Sequence, residues 1–368
     1  MIRMPTETPP VPVLDLAAGS VEVTRAICDI ESVSGDEATL ADAIERALAG
    51  CAHLQLERDG DAVVARTHLG RDRRVVVAGH IDTVPLNRNL PTRIEHEDGV
   101  EYLWGRGTVD MKAGVAVQLV LAAELVDPAY DITWIWYDHE EVSDSLNGLG
   151  RLARTRPELL EGDFAILGEP TRSEIEGGCN GNLRVEVRAF GKRSHSARSW
   201  VGENAIHRIA PVLDTLAAYE AREVEVDGLV YREGLNAVGV SGGIAGNVIP
   251  DEAMVHVNYR FAPSRSGAEA VDHVTSLFPG FEVTVVDLAE GARPGLDAEI
   301  AQPFLAAVGG EARPKYGWTD VARFSALGVP AVNYGPGDPL LAHHDDERVD
   351  VAQITSCERG LRAWLTAR

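Results

Sequence analysis

The stretch "WIWYDHEEVSD" (residues 134–144) carries an apolar run straight into four polar side chains, Asp138, His139, Glu140 and Glu141. Residues 132–137 read as a strand covered on both faces, the kind found inside a mostly parallel sheet. Neighbouring glutamates repel, so something must neutralise them or keep them apart. A lone Glu-Glu pair is most often the solvated start of a loop. The surrounding chain has to overturn that reading.

Upstream, "RRVVVAGH" reads as a second buried strand and "MKAGVAVQLVLAAELV" as a helix. Downstream, "LNGLGRLARTRP" reads as a helix and "DFAILGEP" as a short buried strand. This alternation of strand and helix predicts an α/β unit with a mixed, mostly parallel sheet and helices on both faces. Before it, residues 15–50 carry helical periodicity in two pieces, broken at the Ser-Gly of "SVSGDE".

Near Gly177 the period changes. "LRVEVRAFG" and "AMVHVNYRFAP" alternate apolar and polar residues, and Val255, Val257, Tyr259 and Phe261 share one face. A helix is expected over residues 204–221, another over Gly267–Leu277, then the strand "FEVTVVDLA". That is an α+β pattern. After "EGARPGL" the chain returns to helix, to the apolar "GVPAVNYGPGD", and to a last helix over residues 352–365. The boundaries predict one domain from residues 1–178 and 290–368, interrupted by an inserted domain at 179–289.

A chain of 368 residues favours two domains. Its 34 basic and 57 acidic side chains leave a net charge of −23, which argues against a nucleic-acid partner. Cys28, Cys51, Cys179 and Cys357 have no CxxC spacing, so neither a disulfide framework nor a thiolate zinc finger is expected. The opening "MIRMPTETPPVPVLDL" is Pro-rich and lacks the apolar core of a signal peptide. The longest apolar run, residues 113–126, is too short to span a bilayer and contains Gln118 and Glu124. The expectation is a cytoplasmic protein without a membrane partner.

Each predicted strand ends in chemistry. "VVVAGHIDTVP" leaves His80 and Asp82 two residues apart, on one side of an extended chain. "LWGRGTVDMKAG" sets Asp110 in a Gly-rich turn before a helix, "FAILGEP" supplies Glu169, and "LLAHHDDE" supplies His343 and His344. In an open α/β sheet the ligand crevice lies beyond the carboxyl ends of the strands. Taken singly, Asp110 is as readily a helix N-cap, Glu169 a surface turn and His80 a core histidine. Taken together, carboxylates crowded into one cleft must bind cations or protonate. Imidazole and carboxylate without thiolate suit Zn²⁺, with Mn²⁺ or Co²⁺ as substitutes. Other chemistries fail: Asp110 stands where a dinucleotide fingerprint needs its third glycine, and no phosphate-binding GKS/GKT loop or GxSxG elbow is present.

"GHIDTVP", "GRGTVDMKAG", "DHEEV", "GEPT", "HSARSWVGENAI", "GGIAGNVIP", "GWTDVARF" and "AHHDDE" occur in the order found in the M20 metallopeptidase/deacylase family, which the chain resembles from about residue 30 onward. Within it the resemblance is strongest to the actinobacterial branch that removes succinate from N-succinyl-diaminopimelate, through "GGCNGNLRVEV", "YREGLNAV" and "YGWTDVARF". The resemblance implies two Zn²⁺ ions. His80 would ligate one and His343 the other, Asp110 would bridge them, and Glu141 and Glu169 would each complete one shell. His343 is preferred to His344 because the family's ligand stands four residues before the glutamate of this motif, Glu347. Asp82 would orient His80 through its ring nitrogen.

The same resemblance makes Glu140 the base that takes a proton from water. Glu141 would give its charge to a metal, which answers the repulsion between the two. It implies that the inserted domain is a ferredoxin-like dimerisation and lid domain whose His195 reaches the active site of a partner subunit to stabilise the oxyanion. The protein would then be a homodimer. Asn247, Arg260, Arg323 and Gly335, in the 335–337 loop, would contact a small di-acid substrate, arginine suiting carboxylate through its planar fork. The reaction implied is hydrolysis of N-succinyl-LL-2,6-diaminopimelate to succinate and LL-2,6-diaminopimelate, in lysine and cell-wall precursor biosynthesis. The rivals are an N-acetylornithine deacetylase or carboxypeptidase-like hydrolase with the same metal ligands, and a catalytically silent binding protein, whose signature would be a missing ligand or a missing Glu140.

Overall fold

The computed structural model describes residues 11–367, so the first ten residues of the Pro-rich lead lie outside the described residues. The chain divides into two compact units. The larger runs up to Glu176 and includes Gly295–Ala312 and the chain from Arg323 onward; the smaller is Gly177–Pro294 with Arg313–Ala322. The inserted unit therefore reaches past residue 289 and takes in a later segment that the sequence pattern assigned elsewhere. Backbone pairing draws that segment in: Lys315 N–H donates to Gly177 and Asn180 N–H to Lys315.

In the larger unit the elements run α1 (Ser20–Cys28), α2 (Ala38–Leu48), β1 (Gln55–Asp59), β2 (Ala62–Arg66), β3 (Arg74–His80), β4 (Arg93–Glu97) and β5 (Val100–Trp104). They continue with α3 (Lys112–Glu124), β6 (Asp131–Tyr137), α4 (Gly148–Thr155) and β7 (Phe164–Leu167). All seven residues of β6 are buried, as the unbroken apolar run requires. The strand order is β1, β2, β6, β3, β7 and then the Ala331–Asn333 strand. β3 pairs in parallel with β6 and β7, and Ala331–Asn333 in parallel with β7, while β2 joins β6 antiparallel. Register aligns the ends: His80 lies opposite Tyr137, and Ala78 opposite Leu167. The carboxyl ends of the parallel strands therefore share one edge.

Helix α3 is apolar around its whole circumference, and every residue from Lys112 to Ala122 is buried. Gln118 donates through Nε2 to the Ala78 carbonyl at 2.9 Å, pinning the helix to β3. Gly114 lets it approach closely, since a Cβ there would stand 2.2 Å from the Gly168 carbonyl oxygen.

The smaller unit carries a four-stranded antiparallel sheet, ordered Gly234–Gly242, Glu252–Phe261, Gly181–Phe190, Glu282–Ala289. With one helical segment after the first strand and one after the third, the chain order is βαββαβ, the ferredoxin-like plan. Val255, Val257, Tyr259 and Phe261 are buried together with Leu183, Val185 and Val187. The helix predicted over residues 204–221 is two, Ala205–Arg208 and Ala210–Ala217. Pro211, at the start of the second, has no N–H to continue the first. Among the described residues no helix is long and apolar enough to cross a membrane.

Candidate metal centre

His80 is the last residue of β3 and is 1 % exposed. Its Nε2 lies 3.1 Å from Asp110 Oδ1, and its Nδ1 lies 3.0 Å from the Asp82 carbonyl and 3.4 Å from Asp82 Oδ1. His343 Nε2 stands 2.9 Å from Glu141 Oε1 and 3.3 Å from Asp110 Oδ2. The Asp110 carboxylate thus sits between two imidazoles, one oxygen toward each. It does not cap α3, whose N-cap is Met111.

Three overlapping sets place their ligand atoms within 4.8 Å of one another: His80, Glu140 and Glu141; His80, Asp110 and Glu169; Asp110, Glu141 and His343. His344 turns away, with Nδ1 3.8 Å from Asp346 and the ring exposed.

The electrostatics agree with a site built to receive positive charge. Burial opposes ionisation of Asp110, yet His343 and His80 hold its carboxyl well below the ordinary range. Burial together with the Asp110 charge raises Glu141. Asp110 and Glu141 push the His343 imidazole up to about 10. Protons are what such carboxylates and imidazoles share when no cation takes their place. Two imidazoles and four carboxylates without thiolate fit a divalent ion of the zinc type.

The turn that bears Glu140 and Glu141 is held by Asp82. That carboxylate is fully buried; Oδ1 accepts the Glu140 N–H and Oδ2 the Glu141 N–H, both at 3.0 Å, while Ser34 Oγ donates to Oδ2 at 2.6 Å. One aspartate therefore supports His80 and also fixes the turn bearing both glutamates. His139 takes the left-handed conformation at φ 59°, bending the chain after β6. Its N–H donates to the buried Glu37, and its ring lies 2.7 Å from Asp138 Oδ2. Asp138 is gripped by both terminal nitrogens of Arg151, at 2.7 and 3.0 Å. Ser34, Glu37 and Arg151 escaped the sequence reading, although "SVSGDE" was already marked as a break.

The expected substrate contacts divide. Arg323 lies in the Val321–Ala326 helix, and its Nη2 donates to Asp144 at 2.5 Å, three residues beyond Glu141. Gly335 is buried with both backbone groups engaged: its N–H donates to Thr171 Oγ1, and its carbonyl accepts from Thr171 and Ser173. A Cβ at Gly335 would stand 2.6 Å from the Glu169 carbonyl oxygen. Gly335 therefore supports the turn that carries Glu169.

His195, Asn247 and Arg260 belong to the smaller unit. His195 pairs with Val248 across a two-residue ladder, and Ser196 N–H donates to the Asn247 carbonyl. The exposed His195 ring accepts the Ala197 N–H at Nδ1, which leaves the proton of the neutral ring on Nε2. Arg260 is half-buried beside Arg184 and makes no ion pair among the described residues; burial, then Arg184, lowers its pKa.

Carboxylates and imidazoles gathered beyond the carboxyl ends of a mostly parallel sheet define the class: a hydrolase of the divalent-metal kind. The chain belongs to peptidase family M20/M25/M40, whose model matches residues 76–367. It is 54% identical over 355 residues to a Mycobacterium tuberculosis protein provisionally named succinyl-diaminopimelate desuccinylase DapE, covering 96% of this chain and 99% of the relative. It is 48% identical over 366 residues to the succinyl-diaminopimelate desuccinylase of Corynebacterium glutamicum, covering 96% and 98%. In fold it resembles a Staphylococcus aureus tripeptidase, with TM-score 0.75 and 18% identity over 96% of this chain and 98% of that one. An M20 metallo-carboxypeptidase of Sulfolobus solfataricus gives TM-score 0.73 and 16% identity over 94% and 98%.

Proposed function

We propose that the protein hydrolyses the amide bond of N-succinyl-LL-2,6-diaminopimelate to succinate and LL-2,6-diaminopimelate, using two Zn²⁺ ions. The observation that carries the chemistry is Asp110 facing both His80 and His343, beside a Glu140–Glu141 turn held by Asp82. The substrate rests on the names of the two actinobacterial relatives and on their identity over nearly the whole chain.

His80, Asp110, Glu169, Glu141 and His343 would hold the ions, with Asp110 shared. When bound, the metals polarise the amide carbonyl and acidify water. The Glu140 carboxylate takes a proton from the attacking water and returns it to the leaving amine nitrogen. Asp82 keeps Glu140 within reach by holding its N–H. His195, protonated on Nε2, donates to the oxyanion in the active site of a partner subunit, which makes the working form a homodimer. Arg260, with Asn247, receives a substrate carboxylate, and a half-buried guanidinium that forms no ion pair among the described residues suits that task. The four cysteines are free, in keeping with a cytoplasmic enzyme. The sequence retains Glu140 and every expected ligand, which disfavours a silent binding protein.

The test is to incubate metal-reconstituted protein with N-succinyl-LL-2,6-diaminopimelate and, separately, with N-acetylornithine, each with and without chelator. Succinate release abolished by chelator, with the acetyl compound inert, is the expected result. Turnover of acetylornithine alone would overturn the substrate and keep the chemistry. No turnover of either would remove both.

A further inference from the structure

Glu347 is buried, with its side chain 1 % exposed, and has no part in the chemistry above. Its Oε1 accepts the N–H of Val109 at 2.9 Å and of Asp110 at 3.2 Å, while Oε2 accepts Arg106 Nη1 at 2.7 Å. Its backbone carbonyl accepts the Gly105 N–H at 3.0 Å, and Arg106 also donates to the His344 carbonyl at 3.2 Å. These bonds join the turn of Asp110 to the segment of His343, although Asp110 and Glu347 are 237 positions apart. The neighbouring Arg348 extends the joint by pairing with Trp104 of β5 and lying 4.5 Å over its ring.

We propose that Glu347 is a positioning residue that latches the Asp110 turn to the His343 segment, so that one carboxylate faces both imidazoles. This rests on the reading of Asp110 and His343 as metal ligands. The latch requires a carboxylate for a specific reason. One oxygen must accept two N–H groups and the other a guanidinium, so all the neighbours are donors. A glutamine would have to turn its own NH₂ toward one of them, and a buried donor would lose its acceptor. The isosteric change therefore breaks the latch without leaving a hole.

The experiment compares Glu347→Gln with Asp131→Asn and His343→Ala. Asp131 is a fair control because it too accepts two backbone N–H groups, from Leu69 and Arg71, but at the opposite end of β6 from the glutamate turn. Zn²⁺ affinity is read by competition with a chromophoric chelator, the site geometry by the visible spectrum of the Co²⁺-loaded protein, and catalysis by kcat and KM. Glu347→Gln is expected to weaken Zn²⁺ binding about 10- to 100-fold and to alter the Co²⁺ spectrum. Its kcat should fall while KM stays within about twofold. Asp131→Asn is expected to lower the melting midpoint and leave affinity and spectrum unchanged. Wild-type affinity, spectrum and kcat in Glu347→Gln would overturn the latch. If His343→Ala loses metal in that case, the latch alone fails; if it also binds normally, the ligand reading fails with it. Should Glu347→Gln not fold, Arg106→Gln probes the same joint: weakened Zn²⁺ binding supports the latch and unchanged binding overturns it.

Discussion

Asp82 is out of water, yet its carboxylate stays ionised, at a pKa of about 2; burial works against this, and His80, Ser34 and the Glu141 N–H outweigh it. Asp82→Asn must aim an NH₂ at a backbone donor or at Ser34, so the glutamate turn should shift. We expect kcat to fall about 100-fold, in line with other residues behind metal ligands, and thermal melts to show a loss of about 1–3 kcal/mol. Full activity in this variant would break the link between Asp82 and the turn. Glu140→Gln should lower kcat by about 10²- to 10⁴-fold while the bound metal, counted by metal analysis, stays at the wild-type level. Loss of metal instead would make Glu140 a ligand rather than a base. At this scale much was readable in advance, because strand alternation puts His80 and Asp82 on one side and strand ends converge. Ser34 and Glu37, and the bonds of Glu347 to the Asp110 turn, were not readable, since each acts through a partner distant along the chain.

Among the elements, α3 meets the residue that follows β7, Gly114 against Gly168, with no room for a methyl group. Gly114→Ala should therefore cost about 1–3 kcal/mol in denaturant unfolding by overpacking, despite alanine's better helix propensity. A neutral effect would mean that the helix can slide. Where β6 begins, burial would raise Asp131, but the N–H groups of Leu69 and Arg71, the Thr67 hydroxyl and Arg74 hold it below the usual carboxylate range. A group whose pKa is depressed by folding stabilises above its unfolded value, about 3.9, and loses that contribution as pH falls through the folded value. The deficit of Asp131→Asn should thus be full at pH 7 and shrink toward pH 3. Equal deficits at both would show that charge is not involved. The apolar runs made β3, β6 and β7 legible, and the alternation did the same for Glu252–Phe261. β1 and β4, "QLERD" and "RIEHE", were missed because they are short and charged, β1 mostly half-buried and β4 largely exposed, so no apolar period marks them. The split of the 204–221 helix was legible in principle, at Pro211.

For the molecule as a whole, the proposed trans role of His195 has a genetic-style test. Co-expressed His195→Ala and Glu140→Gln chains, each nearly inactive alone, should recover about a quarter of wild-type activity, since half of randomly paired dimers carry one intact site. No recovery would place His195 outside the partner's site. The two-unit plan followed from the change of period near Gly177, but the passage of Arg313–Ala322 into the smaller unit rests on backbone pairing that no local pattern announces. The candidate ligands come from residues 80, 110, 141, 169 and 343, set far apart along the chain. Synthesis runs from the N-terminus, so His80 and Asp110 leave the ribosome long before His343 exists. If these residues hold the metal as proposed, chains released before His343 is made should be metal-poor and readily digested by proteases.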